Sequence, residues 1–282
     1  MYIKEKQSTN SIDLDDLIII ATHLAPEIQM NYKYIIIDEF QDTSMIRLNL
    51  ITEIQKQCNS KIIAVGDDWQ SIYRFSGCDL NIFLNFEKKF KNVSKFFLTK
   101  TYRNSHELIK IASKFIMKNN KQIKKNMNST KSLKHPIELI AYTQKVKTFK
   151  KIIDKILNYS KDIMILYRNN KDIYNYIDKE FTLDNNVLHY KNARLKHYSV
   201  HKSKGLESEY VILINCNNEK LGFPNKIEDN QIIQKIIKYE EMKYAEERRL
   251  FYVAITRTKE KVFILYDKNN PSIFIKEIKK IL

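Results

Sequence analysis

Apolar positions change their period in a regular order along the chain. Residues 12–25 place Leu14, Leu17, Ile18 and Ala21 at helical spacing behind acidic residues near the start, which predicts an amphipathic helix. Residues 34–37 form a short continuous apolar run and predict a buried strand. Helical spacing returns over 43–57, and 61–65 predicts a second strand that breaks at Gly66-Asp67-Asp68. A third strand is expected over 94–98. Asn104, with Glu107 three residues on, has the spacing of a capping box that opens a helix to about Met117. Further strands are expected over 163–167, 198–201, 210–214 and 262–266, with helices between them, notably 244–256. Strands alternating with helices predict an α/β fold with parallel layers. No internal repeat and no Pro- or Ser-rich linker interrupts the pattern, and the domain break is expected near Asn92.

Composition narrows this picture. A chain of 282 residues can form one large domain or two ordinary ones, and 43% hydrophobic, 29% charged and 11% aromatic content is globular rather than disordered. Three scattered cysteines, Cys58, Cys78 and Cys216, lack C-x-x-C spacing, which predicts a reduced compartment without a disulfide framework or zinc site. Apolar runs are too short for a membrane span and the acidic, polar N-terminus does not read as a secretory signal, so a cytoplasmic location is expected. Forty-nine Lys and Arg against 33 Asp and Glu leave a net charge of +16, which attracts polyanions, nucleic acid being the usual one. The competing reading is compositional: the chain is rich in Lys, Asn and Ile, with only 4 Gly. Residues 108–137 nevertheless hold eight lysines and no acid, either a cationic block or a mobile surface tail.

In open α/β sheets, chemistry collects beyond the carboxyl ends of strands. Asp38-Glu39-Phe40-Gln41-Asp42 follows the first predicted strand; paired carboxylates there suit magnesium and a polarised water, though a helix cap is the commoner use of Asp-Glu. Gly66 to Gly77 follows the second. In it Gln70 could orient a phosphate, and Tyr73 and Phe75 around Arg74 suit base stacking beside a phosphate contact; packing is the plainer reading of both aromatics and of Trp69. Thr101-Tyr102-Arg103-Asn104 follows the third, and His201-Lys202-Ser203-Lys204-Gly205-Leu206-Glu207 a later one. Arg257 lies late on a helix that begins with Glu246-Glu247-Arg248-Arg249. Arg103 and Arg257 could stabilise charge on a γ-phosphate, where an isolated arginine is ordinarily a surface residue.

In order and spelling these clusters resemble the UvrD/Rep-like superfamily 1 DNA helicases. DEFQD is similar to that family's second motif, GDDWQSIYRFSG to its third, TYRNS to its fourth, SVHKSKGLE to its fifth and EERRLFYVAITRTK to its sixth. The third, with Gly222 to Pro224 and the Asn270-Pro271-Ser272 stretch, has the spelling of the helicase IV type. The resemblance runs from about Leu14 to Phe274. It implies RecA-like parallel sheets flanked by helices, with an incomplete first motor domain over 1–92 and a complete second one over 93–282. It also implies an ATP-dependent 3′–5′ helicase or translocase acting in DNA repair on single-stranded DNA or a duplex with a 3′ single-stranded tail, with ATP and Mg2+ as cofactors. By the same resemblance Asp38 holds the metal and Glu39 activates the attacking water. Gln70 senses the γ-phosphate and couples it to Tyr73, Arg74 and Phe75 on DNA. Tyr102 stacks on adenine, Arg103 and Arg257 reach the γ-phosphate, Glu207 approaches the ribose or phosphates, and Ser199 and His201 touch the DNA strand.

The sequence departs from the family in one chemical respect above all: it contains no G-x-x-x-x-G-K-[ST] phosphate loop, whose amides and lysine carry most of the affinity for a triphosphate. The family's N-terminal strands and inserted subdomain are also missing, and Phe75 stands where many relatives have Trp. Three expectations remain open: a motor whose phosphate loop is on a separate chain or was lost by truncation, a non-catalytic single-stranded DNA-binding module, and an inactive remnant.

Overall fold

The structure, a computed structural model, describes residues 2–227 and 240–282. The chain divides into two compact units, Met1–Ser94 and Lys95–Leu282.

In the first unit, α1 (Tyr2–Thr9) and α2 (Leu14–Leu24) precede β1 (Tyr34–Ile37), α3 (Met45–Cys58) and β2 (Lys61–Ala64), and two short helices follow, α4 (Leu80–Leu84) and α5 (Phe86–Lys89). A reciprocal capping box between Asp13 and Asp16 starts α2, and Ser44 caps α3 through the Arg47 N–H. β1 and β2 pair in parallel, Tyr34 opposite Lys61 through Ile37 opposite Ala64. Among the described residues no third strand flanks them. The expectation of a buried strand over 34–37 is therefore corrected: β1 alternates exposed and half-buried positions, and Ile36 is 71% exposed. α2 likewise buries none of its residues and leaves Leu14, Leu17, Ile19 and Ile20 in the open. The core of this unit is small, with Phe40, Leu48, Trp69 and Ile72 at its centre and Phe86 edge-on to Phe40 at 5.4 Å.

The second unit is a seven-stranded sheet. Its strands are β3 (Ile137–Tyr142), β4 (Ile163–Tyr167), β5 (Phe181–Asp184), β6 (Val187–Tyr190), β7 (Ala193–Ser199), β8 (Ser208–Leu213) and β9 (Thr258–Asp267), in spatial order β3-β9-β8-β4-β7-β6-β5. The first five in that order run parallel, whereas β5, β6 and β7 form an antiparallel meander, so the sheet is mixed rather than wholly parallel. Helix α7 (Lys145–Leu157) packs Phe149, Ile152, Ile153 and Ile156 against Ile163, Ile165, Tyr167, Phe263 and Leu265. Strand alternation sends Tyr266 to the other face, where Lys279 of α9 (Ile273–Ile281) lies 4.7 Å above its ring. On that face Phe115 of α6 (His106–Ile116), Phe251 of α8 (Ala245–Ile255), Phe274 of α9 and Phe223 form one aromatic cluster. The buried Arg248 guanidinium stacks on Phe115 and Phe274 and pairs with Glu277 at 2.6 Å.

Three local expectations are corrected. Residues 94–98 form no strand: Phe96 and Leu98 are each 87% exposed, and the nearest backbone pairing is an isolated bridge from Lys100 to Asn128. An apolar run becomes a strand only where a neighbour accepts its backbone. Ser105 rather than Asn104 caps α6, accepting the Leu108 N–H at 3.3 Å, because the Asn104 amide is committed to the Thr256 and Thr258 carbonyls at 3.1 and 2.7 Å. The strand expected over 198–201 ends at Ser199 and passes into a tight turn at His201–Ser203. Among the described residues no helix is long and apolar enough to cross a membrane.

Candidate functional site

β1 delivers Asp38 and Glu39, both exposed, at its carboxyl end, where Glu39 takes a left-handed conformation with φ of 49°. The Asp38 carboxylate accepts the Glu39 N–H at 2.8 Å, and the Phe40 N–H donates to the Val65 carbonyl at 2.8 Å, folding this segment over the end of β2. Gln41, fully buried, faces both ways. Its amide N–H donates to the Glu39 carboxylate, and its Oε1 accepts the Asp67 N–H at 2.9 Å. The Asp67 carboxylate in turn accepts from the Trp69 N–H at 3.0 Å and from Gln70 Nε2 at 2.6 Å. A chain of hydrogen bonds therefore joins Glu39, Gln41, Asp67 and Gln70. Gln41 and Asp67 were not among the sequence candidates; the only signal for either was its place inside a motif-like stretch. Tyr73 and Phe75 lie edge to face at 6.0 Å with the half-buried Arg74 between them in sequence, and Phe75 is 71% exposed.

The second unit sorts its candidates to the two ends of its parallel strands, and this corrects the expectation that Glu207 belongs with a cluster at a carboxyl end. Ser199 and His201 do follow β7, and the Val200 N–H donates to the Tyr167 carbonyl at the end of β4. Glu207 and Arg257 instead stand just before β8 and β9, at the amino ends. Along β4 these two levels are roughly 13 Å apart at about 3.3 Å per residue.

At the amino ends the Glu207 carboxylate bridges two cations, Arg103 Nε at 2.7 Å and Lys259 Nζ at 2.8 Å, which together hold its carboxyl down at about 2. Arg257 is buried. Its Nε donates to the Val253 carbonyl at 3.1 Å and Nη1 to the Leu206 carbonyl at 3.4 Å, so its own helix and the Glu207 segment both fix it. The two Asn104 hydrogen bonds described above tie the segment carrying Tyr102 and Arg103 to the start of β9. Tyr102 is 77% exposed, with Lys100 Nζ 5.0 Å above its ring. Lys259 was not singled out in the sequence, because a lysine in so basic a chain carries no signal of its own.

At the carboxyl ends Ser199 is buried and its hydroxyl accepts the Lys202 N–H at 3.4 Å. Burial, with the nearby Arg168 charge, pushes the His201 imidazole down to about 4, so it is neutral at pH 7. Arg168 forms a two-pronged ion pair with Glu247, Nε and Nη2 reaching Oε1 at 2.8 and 2.7 Å.

The donor set bears on ATP and magnesium. Among the described residues no three His, Cys, Asp or Glu side chains gather as a metal cage. A single exposed carboxylate such as Asp38 fits Mg2+ only in the mode where phosphate oxygens and water complete the shell. Exposed Tyr102 and the cations beside Glu207 fit an aromatic base and phosphates, and the chain supplies no amide cradle of the G-x-x-x-x-G-K-[ST] type.

Comparison with known proteins bears on the family. Residues 1–91 match the family model of the UvrD/REP helicase N-terminal domain, and residues 177–269 that of the UvrD-like helicase C-terminal domain. The chain is 33% identical over 256 residues to DNA helicase IV of Escherichia coli (strain K12), covering 89% of this chain and 36% of that protein. It is 27% identical over 229 residues to ATP-dependent DNA helicase Rep of Buchnera aphidicola subsp. Baizongia pistaciae (strain Bp), covering 76% of this chain and 34% of that one. It thus spans about a third of the length of these relatives. A solved structure of the PRRSV helicase aligns with 83% of this chain and 34% of its own at a TM-score of 0.42 and 13% identity.

Proposed function

With N- and C-terminal domain segments of the UvrD/Rep helicases in one chain, we propose that this protein works as the part of an ATP-dependent 3′–5′ DNA helicase or translocase that bears the water-activating carboxylate and the second motor domain. The observation that carries the proposal is the hydrogen-bonded chain from Glu39 through Gln41 and Asp67 to Gln70. It connects the carboxylate that would activate water with the glutamine that would sense the γ-phosphate, a few residues before the Tyr73-Arg74-Phe75 cluster proposed to meet DNA. In this reading 1–92 and 93–282 are the two motor domains. Asp38 would hold Mg2+, and the bound nucleotide would supply the phosphoryl group and the remaining metal ligands. Tyr102 would stack on the base, Glu207 would meet the ribose or phosphates, and Arg103 and Arg257 would offset charge on the γ-phosphate. Ser199 and His201 would meet the DNA strand as neutral hydrogen-bonding groups.

Because the sequence lacks a phosphate loop, the chain on its own is expected to hydrolyse ATP negligibly, with the loss on the order of 10³-fold or more. Addition of a separate polypeptide that carries G-x-x-x-x-G-K-[ST] is expected to restore DNA-stimulated phosphate release, and Glu39→Gln is expected to abolish it while sparing nucleotide binding. Restored activity that survives Glu39→Gln would remove Glu39 from the site. The second reading, a non-catalytic single-stranded DNA-binding module, is favoured by the exposed Phe75 beside Tyr73. It predicts salt-sensitive DNA binding that a Tyr73→Ala/Phe75→Ala variant weakens, and no turnover with any phosphate-loop partner.

A further inference from the structure

The lysine-rich stretch takes a definite form on α6. His106, Lys110 and Lys114 recur at every fourth position and are all exposed, while Leu108, Ile109, Ala112, Phe115 and Ile116 are buried on the opposite side. Four-residue spacing stacks the three side chains on one face, about 6 Å apart along the axis at 1.5 Å per residue. Lys118 continues the line but is held by Glu277 at 3.2 Å. Glu107, the acid in the first turn, is turned aside to the Ser132 hydroxyl and the Leu133 N–H. Among the described residues carboxylates pair with the nearby Lys118, Lys121 and Lys131 but none with Lys110 or Lys114. Helix α7 repeats the four-residue spacing at exposed Lys147 and Lys151 but sets it among acids: Lys150 meets Asp178 and Glu180, Lys155 meets Glu138, and Asp154 stands on the helix itself.

We propose that the exposed face of α6 is a contact surface for the phosphate backbone of nucleic acid, with Lys110 and Lys114 each neutralising one phosphate. The face shares no residue with the Tyr73-Arg74-Phe75 cluster or with Ser199 and His201, and its assignment rests on the nucleic-acid part of the function proposed above. The buried apolar side holds the helix rigidly, so its lysines are presented in a fixed row rather than on a mobile tail. A lysine is a point charge that suits a phosphate and carries no base preference. The face has no aromatic or aliphatic anchor of the kind that carries protein–protein affinity, and the chain as a whole has a charge of +16. An acidic polypeptide is therefore the weaker candidate partner.

Fluorescence anisotropy with a labelled single-stranded oligonucleotide tests this, using the full chain, a Lys110→Glu/Lys114→Glu variant and a Lys147→Glu/Lys151→Glu variant. The second variant makes the same charge change at two exposed positions of α7. The α6 variant is expected to bind about 10-fold more weakly at low salt. Its plot of log affinity against log salt is expected to flatten by roughly 1.4, two contacts at about 0.7 each. The α7 variant is expected to lose less than about 3-fold and keep its slope. Equal losses in both variants would mean a general charge effect and overturn the surface, as would an unchanged α6 variant or equal competition by polyglutamate of matched charge. If the unaltered chain shows no salt-dependent binding, the nucleic-acid reading and the surface fall together. If it binds and only Tyr73→Ala/Phe75→Ala weakens it, the reading stands and the surface falls. Circular dichroism melts of both variants check that these exposed substitutions leave the fold intact.

Discussion

Gln41 Oε1 accepts the backbone N–H of Asp67 at 2.9 Å, so one buried amide joins the segment after β1 to the segment after β2. Gly66 makes the approach possible. A Cβ at that position would stand 2.5 Å from Gln41 Oε1, 2.7 Å from Phe83 Cε2 and 3.2 Å from the Gln41 backbone N. Gly66→Ala should therefore destabilise the first unit by about 1–3 kcal/mol, the usual cost of overpacking. The single tryptophan of the chain, Trp69, is buried in that unit and reports it by fluorescence during denaturant unfolding. A shift within about 0.5 kcal/mol would show that Gln41 and Phe83 move aside freely.

Glu207 should titrate far below an ordinary glutamate. The hydrogen bonds from Lys259 and Arg103 hold its carboxyl at about 2. A carboxylate with a depressed folded value contributes stability above its unfolded value, and that contribution is lost as pH falls from about 4.3 towards 2. The side chain is 39% exposed, so the contribution is under about 1 kcal/mol. Carboxyl-carbon NMR on the unaltered chain and on Lys259→Met measures it. The midpoint should rise in the variant, and an unchanged midpoint would show that Lys259 does not hold Glu207.

His201 carries the opposite charge logic. Burial, then Arg168, lowers its imidazole to about 4, so folding favours the neutral ring. The unfolded chain takes up the proton first, and stability is lost as pH falls from about 6.5 towards 4, on the order of 2 kcal/mol by pH 5. His201→Gln cannot titrate, so the difference in unfolding free energy between pH 7 and pH 5 should shrink by that amount. A ring proton resonance that titrates near 6.5 would place the imidazole in solvent.

Arg257 and Arg103 should separate in stability although both are proposed to meet the γ-phosphate. Arg257→Ala strips a buried guanidinium from the Val253 and Leu206 carbonyls and should cost about 2–4 kcal/mol. Arg103→Ala removes a half-exposed ion pair with Glu207 and should cost under about 1 kcal/mol. Thermal melts of the two variants decide this, and they must accompany any loss of turnover ascribed to Arg257.

The residues that could be read from the sequence were those whose local signal agreed with their surroundings. The run over 163–167 is a strand at those bounds because Ile163 to Tyr167 are buried on both faces of a central strand. The run over 94–98 has the same apolar character and fails, because pairing depends on a neighbour that the run itself does not specify. Asn104 and Ser105 are both good capping residues; which one caps α6 was settled from more than 150 positions away, by the Thr256 and Thr258 carbonyls. The meander of β5 and β6 was missed because its strands are four residues each and alternate weakly. Among the site residues, the carboxylates and arginines stood out by motif, whereas Lys259 became visible only when the start of β9 came beside Glu207.

The meagre core of the first unit has a calorimetric consequence. Only six apolar residues from Ala25 to Cys78 are buried there, while the second unit closes a seven-stranded sheet between helices on both faces. Heat-capacity traces of such a chain should show two endotherms, a small broad one at lower temperature and a sharper one above it. Trp69 fluorescence would follow the first alone, whereas far-ultraviolet ellipticity would register both, because helices α1 to α5 and α6 to α9 are of similar total length, so the two probes would give different apparent midpoints for the same sample. A melting temperature read from Trp69 therefore belongs to the first unit, whereas one read from ellipticity averages the two.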